Sequence, residues 1–144
     1  MNLRVKDSET SYNRIDGFYI TGGDNGYVDF EVEGVFNSRY NGGDGIEVTD
    51  NDIDWNGEMK VKGVVNLYKN GDNGFYMRNK AAVDVVVDKG GALNSCSNNQ
   101  DGFSFLDIVN EGSGTFSGDG YACGTGPPGA NLPDCEDCPS CPSE

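Results

Sequence analysis

Apolar and polar positions along this chain alternate in short runs. Phe18-Tyr19-Ile20, Val28-Asp29-Phe30-Glu31-Val32-Glu33, Met59-Lys60-Val61-Lys62 and Val83-Asp84-Val85-Val86-Val87 put every second side chain on one face, the period of a half-buried strand. Shorter apolar pieces end at an asparagine: Val35-Phe36-Asn37, Val64-Val65-Asn66 and Ala92-Leu93-Asn94. Gly, Asn and Asp fill the stretches between the runs, as turns with φ > 0 require. No segment keeps helical spacing over three turns with caps. The pattern predicts strands only.

The strands recur. Asp/Asn-Gly followed by an apolar strand occurs at Asp16-Gly17-Phe18, Asp44-Gly45-Ile46, Asn73-Gly74-Phe75 and Asp101-Gly102-Phe103, so the four glycines are 28, 29 and 28 residues apart. Asn37, Asn66 and Asn94 keep the same step, as do Asn41, Asn70 and Asn98. Three markers in one register define a repeat protein. Three short strands per unit, with turns too long for tight hairpins, predict a coil whose strands pair in parallel with their equivalents in the next unit. Charge supports the stacking: aligning Gly34 with Gly63 sets Glu31 and Glu33 over Lys60 and Lys62, with Asp84 or Asp88 beyond them. Opposite charges on neighbouring strands stabilise by roughly 0.2–1 kcal/mol per pair. Asn37, Asn66 and Asn94 are expected to face inward and bond to one another as an asparagine ladder along the axis. Asparagine is also an ordinary turn residue, and that role is the expectation for Asn41, Asn70 and Asn98.

Gly-anchored strands, an asparagine stack and three-strand coils resemble the right-handed parallel β-helix repeats of the pectate-lyase-like superfamily, over about residues 10–120. The resemblance implies an all-β, right-handed parallel β-helix of about four coils, near 10–37, 38–66, 67–94 and 95–122, followed by an irregular Cys/Pro-rich tail, 123–144. It brings to mind polysaccharide lyases, galacturonan hydrolases and uronan epimerases. The hydrolases and epimerases typically carry a catalytic histidine motif, and this chain has no histidine. A lyase would need Ca²⁺ held by carboxylates and an arginine as base. Arg39, beside a strand with acids at neighbouring coil positions, is the one arginine so placed, and no lyase motif surrounds it. A non-catalytic member or a fragment is the expectation.

Composition narrows the partners. With Lys+Arg 10 against Asp+Glu 24, the net charge is −14. A phosphate polyanion needs a basic patch, so nucleic acid is excluded as an expected partner. Lack of histidine also removes Ser-His-Asp and Cys-His nucleophile pairs. No apolar run approaches the ~18 residues that cross a membrane, and Met1-Asn2-Leu3-Arg4 does not begin a signal peptide.

Chemistry has two candidate places. Asp50, Asp52, Asp54, Asn56 and Glu58 surround a run, Asp52-x-Asp54-x-Asn56-Gly57, that matches the first half of an EF-hand loop. Gly63 stands where the closing acid would be, so Ca²⁺ binding and a solvated acidic turn both remain as readings. Tyr19, Glu47 and Tyr76, followed by Ser104, stack outward on the first strand of each unit, where aromatic rings and a carboxylate can hold sugar; strand propensity explains tyrosine there equally well.

The tail from Cys123 holds all five prolines and four of the five cysteines. Cys135, Cys138 and Cys141 begin an iron–sulfur spacing whose fourth cysteine is missing, and with Cys123 they read rather as disulfide candidates of a secreted stalk. Cys96 is expected to be simply buried. Leu3-Arg4-Val5-Lys6 reads as the last strand of a coil, and Phe103, Phe105, Thr115 and Phe116 as a tapering fourth one. An open coil end offers unpaired backbone, so self-association through coil ends or tail cysteines is expected. The sequence thus predicts a non-catalytic acidic β-solenoid of an extracellular or cell-surface structural or adhesive protein, filament-forming and stiffened by Ca²⁺, and a segment of a longer chain. The alternatives are a polysaccharide-binding module and, behind it, a Ca²⁺-dependent lyase.

Overall fold

A computed structural model of the chain describes residues 2–21, 27–50, 56–79, 81–98, 107–119 and 121–123. They form twelve strands: β1 (Asn2–Ser11), β2 (Phe18–Thr21), β3 (Tyr27–Arg39), β4 (Ile46–Asp50), β5 (Asn56–Val61), β6 (Val64–Tyr68), β7 (Phe75–Asn79), β8 (Ala82–Val87), β9 (Ala92–Cys96), β10 (Ile108–Asn110), β11 (Phe116–Ser117) and β12 (Tyr121–Cys123). Every strand pairing is parallel. The chain is a parallel β-solenoid of about three turns.

Each turn contributes one strand to each of three faces. The first face runs β2-β4-β7-β10. The first half of β3 pairs with β5, then β8, then β11; its second half pairs with β6, then β9, then β12. β1 lies on the other side of β3 and spans both of those faces, kinking at Asp7 (φ 44°) just as β3 kinks at Gly34 (φ 68°). Inward side chains from the three faces, Phe30, Phe36, Ile46, Met59, Leu67, Phe75, Met77 and Leu93 the largest of them, fill one buried core.

Equal spacing does hold Gly17, Gly45 and Gly74 in one column: Phe18 is level with Ile46 and Ile46 with Phe75. The fourth coil departs from it. Ile108, not Phe103, lies beside Phe75, and Asp107 stands at the level of Gly74, whose N–H it accepts at 2.8 Å. Gly102, Phe103 and Phe105 lie outside the described residues. The strands of this last coil have only three, two and three residues, so the turn count is about three rather than the expected four.

The marker glycines have φ < 0; what they supply is room. A Cβ on Gly45 would stand 2.6 Å from Gly74 O and 2.8 Å from Asn70 Nδ2. The amide it makes way for belongs to a ladder: Asn13, Asn41, Asn70 and Asn98 each donate a backbone and a side-chain N–H to the side-chain oxygen of the next coil, at 2.9–3.2 Å. Asp107 ends it, a group that accepts both protons and has no amide N–H of its own to place. This series, expected to serve turns, is therefore also a buried ladder. Before each asparagine sits a left-handed residue, Tyr12, Tyr40, Lys69 or Ser97 (φ 53–57°), which turns the asparagine into the interior.

The Asn37 series also bonds coil to coil, Asn66 Nδ2 to Asn37 Oδ1 and Asn94 Nδ2 to Asn66 Oδ1, both 2.9 Å. Strand alternation puts it on the face opposite the core residues Phe36, Val65 and Leu93, so it runs along the outside of the apolar core, not within it. The charge stacking holds for Glu31, which is level with Lys60 and pairs with Lys62 at 2.6 Å and with Arg4 at 3.4 Å. Asp84 instead falls beside Glu58 and accepts from Thr115 N and Oγ1 at 3.0 and 2.7 Å.

Candidate functional site

Polar groups converge on the outer side of the first face. In β2, β4, β7 and β10 the apolar side chains Phe18, Ile46, Phe75 and Ile108 point inward, so Tyr19, Glu47, Tyr76 and Val109 form the outward column, in register across the sheet. Val109 takes the place expected for Ser104. Two residues on, Arg78 lies beside Thr49.

A second column lies just before each strand. Asp44 N donates to Asp16 Oδ1 (2.8 Å), and Asn73 N and Nδ2 donate to Asp44 Oδ1 (2.7 and 2.9 Å). These are the residues that precede the marker glycines. Stacking fixes Asp16 and Asp44 one above the other, and the strand that follows delivers Glu47 to the same spot. Their three carboxyl groups offer oxygens within 4.8 Å of one another.

Burial makes this crowding matter. Glu47 is 6% exposed. Burial first, then the charges of Asp16 and Asp44, push its carboxyl up to about 7, against the opposing pull of Arg78. Asp44 rises to about 6, chiefly by burial, with the Asn73 hydrogen bonds working against the rise. Arg78 Nε lies 2.6 Å from Glu47 Oε1, yet its N–H is aimed at Thr49 Oγ1 (3.4 Å). Glu47 Oε1 therefore receives a charge contact rather than an aligned hydrogen bond. Tyr76 donates its hydroxyl to Glu111 Oε2 at 2.8 Å, and burial together with that acceptor pushes the phenol up to about 12. The Arg78 guanidinium sits 5.9 Å from the Tyr76 ring centre.

These groups line an open cleft of about 410 Å³ between the Asp16–Asp44–Asn73 column and β10. A second hollow of about 430 Å³ continues it past Ile15 to Tyr19, which is half exposed. With its carboxyl pushed up to about 7, Glu47 donates as well as accepts hydrogen bonds near neutrality, Asp44 accepts, and the tyrosine rings offer apolar faces; together these match a polyhydroxylated ligand. As a cation site, the three carboxyl groups would supply hard oxygen ligands, but Arg78 already sets one positive charge against Glu47.

The sequence-based candidates are distributed as follows. Tyr19, Glu47 and Tyr76 do come together. Asp52 and Asp54 lie outside the described residues, as do the side chains of Asp50 and Asn56, and Glu58 pairs with Lys60 at 2.9 Å. Arg39 is tied to Glu9 through Nε and Nη2 (2.9 and 2.8 Å) and lies 5.9 Å from the ring centres of Tyr40 and Tyr68. Cys96 is disulfide-bonded, not a free buried thiol. Cys135, Cys138 and Cys141 and the Cys123 side chain lie outside the described residues. The sequence marks Asp16 and Asp44 as repeat signals without a site role and gives Arg78 none. The acidic residue before Gly17 and Gly45 has a turn role by itself and becomes part of a site only when the coils stack.

A comparison of the chain with known family models, curated proteins and solved structures returns no match. The chemistry of the cleft has to be read from its own residues.

Proposed function

We propose that the chain is a non-catalytic, adhesive β-solenoid module that holds a neutral polysaccharide against the outer side of its first face, in an extracellular or cell-surface setting. The observation that carries this reading is the in-register column Tyr19–Glu47–Tyr76, which spans two adjoining hollows, Tyr76 and Asp44 lining one, Tyr19 the other, and Asp16, Glu47 and Arg78 both. Parallel strands repeat every ~4.8 Å, so the column presents ring, carboxyl and ring at regular steps to a chain laid along the axis. A neutral glycan fits better than a uronan, because the chain carries a net charge of −14 and the cleft sets three carboxyl groups against one guanidinium. The resemblance of the repeat to pectate-lyase-like β-helices favours a polysaccharide as the ligand, and the acidic cleft sets its charge apart from the uronans of those enzymes.

Affinity electrophoresis through soluble glucan, mannan and galactan, with a uronan as the acidic control, tests the reading. At least one neutral polymer is expected to retard the protein, and Tyr76→Ala to weaken that retardation at least tenfold while the melting midpoint stays within a few degrees. Migration unchanged in every neutral polymer would overturn it.

A further inference from the structure

The two ends of the solenoid differ. At the C-terminal end the strands shrink to two or three residues, and the asparagine ladder stops at the Asp107 carboxylate. At the other end β1 presents ten residues of backbone, paired with β3 on one side and, among the described residues, with no strand on the other. Such an edge is a template for another strand.

That end is also the apolar one. The large hydrophobic side chains that stand exposed among the described residues, Tyr12, Ile15, Tyr19, Tyr27 and Val35, all fall within residues 12–35. Tyr12 is 74% and Ile15 67% exposed. The Tyr12 ring stacks on Tyr40 at 5.2 Å and 5°, and Tyr40 meets Tyr68 edge-on at 6.2 Å, so a column of rings runs towards the open end. Leu3, Val5 and Phe18 pack against the core but are only partly covered.

We infer that this end is a docking surface for a second copy of the chain, joined head to head by antiparallel pairing of the two β1 strands. The charge order of the strand selects the partner. Arg4 and Lys6 precede the Asp7 kink, and Asp7 and Glu9 follow from it. When two such strands run antiparallel about a two-fold axis at the kink, Arg4 of each faces Glu9 of the other, and Lys6 faces Asp7. The faces agree as well. Arg4 and Glu9 both pair with outward side chains of the next coil of the same chain, Glu31 and Arg39, while in this register Leu3 and Val5 would meet Thr10 and Ser8 on the inward side. A contact of this kind is isologous: each surface is its own complement, and it closes after two copies. Head-to-tail stacking would set ten residues of β1 against the two and three of β11 and β12. The Lys6 charge and the Asp7 kink also blunt an edge against indiscriminate pairing; the register that satisfies them is the self-complementary one.

The inference does not depend on the glycan reading: it turns on β1 and the charges of Arg4 and Glu9, which line neither hollow, although Ile15 and Tyr19 border both surfaces. Sedimentation velocity of the full chain over a thousandfold range of concentration tests it, with denaturing gels run without reductant to reveal any covalent dimer. The expected result is a non-covalent monomer–dimer equilibrium that weakens with added salt and weakens at least tenfold in Arg4→Glu. Combining Arg4→Glu with Glu9→Arg restores the cross-pair with signs exchanged, and the dimer with it, whereas a role in folding alone would leave the double variant worse than either single one. A monomer throughout, a dimer indifferent to Arg4→Glu, or one that exists only as a disulfide product would each overturn the proposal.

Discussion

Two columns of side chains run along neighbouring corners of the solenoid, and they use the same device for opposite ends. In the Asn41 column each side-chain oxygen receives a backbone and a side-chain N–H from the adjacent coil; in the Asp16–Asp44–Asn73 column, three residues further on, Asp44 does the same for Asn73. The first column is made of neutral amides, is buried at Asn41 and Asn70, and is closed by Asp107. The second is acidic, opens onto the cleft, and holds Asp44, whose affinity for protons is raised chiefly by burial, next to Glu47, raised in the same way. A stacked amide satisfies its neighbours and adds no charge. A stacked carboxylate satisfies the same donors and leaves charge that a ligand or a proton can use. The difference is one atom per coil, nitrogen against oxygen, and it separates what holds the fold from what equips the surface.

The largest effect should come from cutting the neutral column at its centre. Asn70 is buried and accepts from Asn41 N and Nδ2 while donating to Asn98 Oδ1 and Ser38 O. Asn70→Ala leaves the Asn41 amide N–H without a partner in the interior and opens a void beside it. At about 1–3 kcal/mol per orphaned buried group, plus the lost contacts, destabilisation by about 2–4 kcal/mol is expected. Urea unfolding followed by circular dichroism reads it as a lower midpoint. A midpoint unchanged from the parent would show that the ladder decorates the coil rather than holding it.

The acidic column should respond to pH instead. Folding raises Asp44 from an ordinary 3.8 to about 6 and Glu47 from 4.5 to about 7. Between roughly pH 4 and pH 7 the folded chain therefore keeps protons that the unfolded chain has released, and this pair makes stability fall as pH rises through that window. Below it both states are protonated and the cost vanishes. The exposed pairs Glu9–Arg39 and Glu31–Lys62 act in the other sense, because their carboxyl groups sit below their ordinary values. Substitution separates the two contributions. Glu47→Gln should raise the melting midpoint at pH 8, leave it nearly unchanged at pH 4, and flatten the slope between. Equal effects at both pH values would mean that crowding of charge is not what distinguishes this column.

Much of this contrast was legible in the sequence, and the illegible part has a physical cause. A constant step of 28 or 29 residues, kept by Gly17, Gly45 and Gly74 and by both asparagine series, is sufficient to imply stacked coils, because only stacking makes one spacing matter at three positions of the unit at once. The Tyr19–Glu47–Tyr76 column follows directly, since period-two alternation assigns the faces. The fourth coil did not follow: Asp107, with no glycine after it, closes the ladder where Gly102 was expected. Nor does spacing reveal which asparagines turn inward. A left-handed residue at Tyr40, Lys69 and Ser97 shifts the phase of the side chains by half a strand period, and none of those residue types announces such a conformation. The cleft is harder still to foresee, because Asp16, Asp44, Glu47 and Arg78 come from two loops and two strands whose convergence is a property of the stack.

The smallest effect is expected from the Asn37 column, and it isolates what backbone satisfaction contributes. Asn66 is buried, at 6% exposure against none for Asn70, carries the same amide, and sits in the middle of an equally regular series. Its bonds, however, run only from side chain to side chain: it donates to Asn37 Oδ1 and accepts from Asn94 Nδ2. Its backbone is held by the sheet whether or not the amide is present, since Asn66 is level with Asn37 and Asn94 in continuous strands. The column already ends on an acceptor, Asn94 Oδ1, that receives no hydrogen bond among the described residues. Asn66→Ala should then cost about 1 kcal/mol, the net worth of an ordinary hydrogen bond, and well under half the loss in Asn70→Ala under the same denaturant conditions. Equal losses would place the strength of both ladders in the amide stack itself. A ratio of two or more would place it in the backbone N–H groups that only the corner column receives, which is also the reason a carboxylate can replace the amide at Asp44 without breaking the coil.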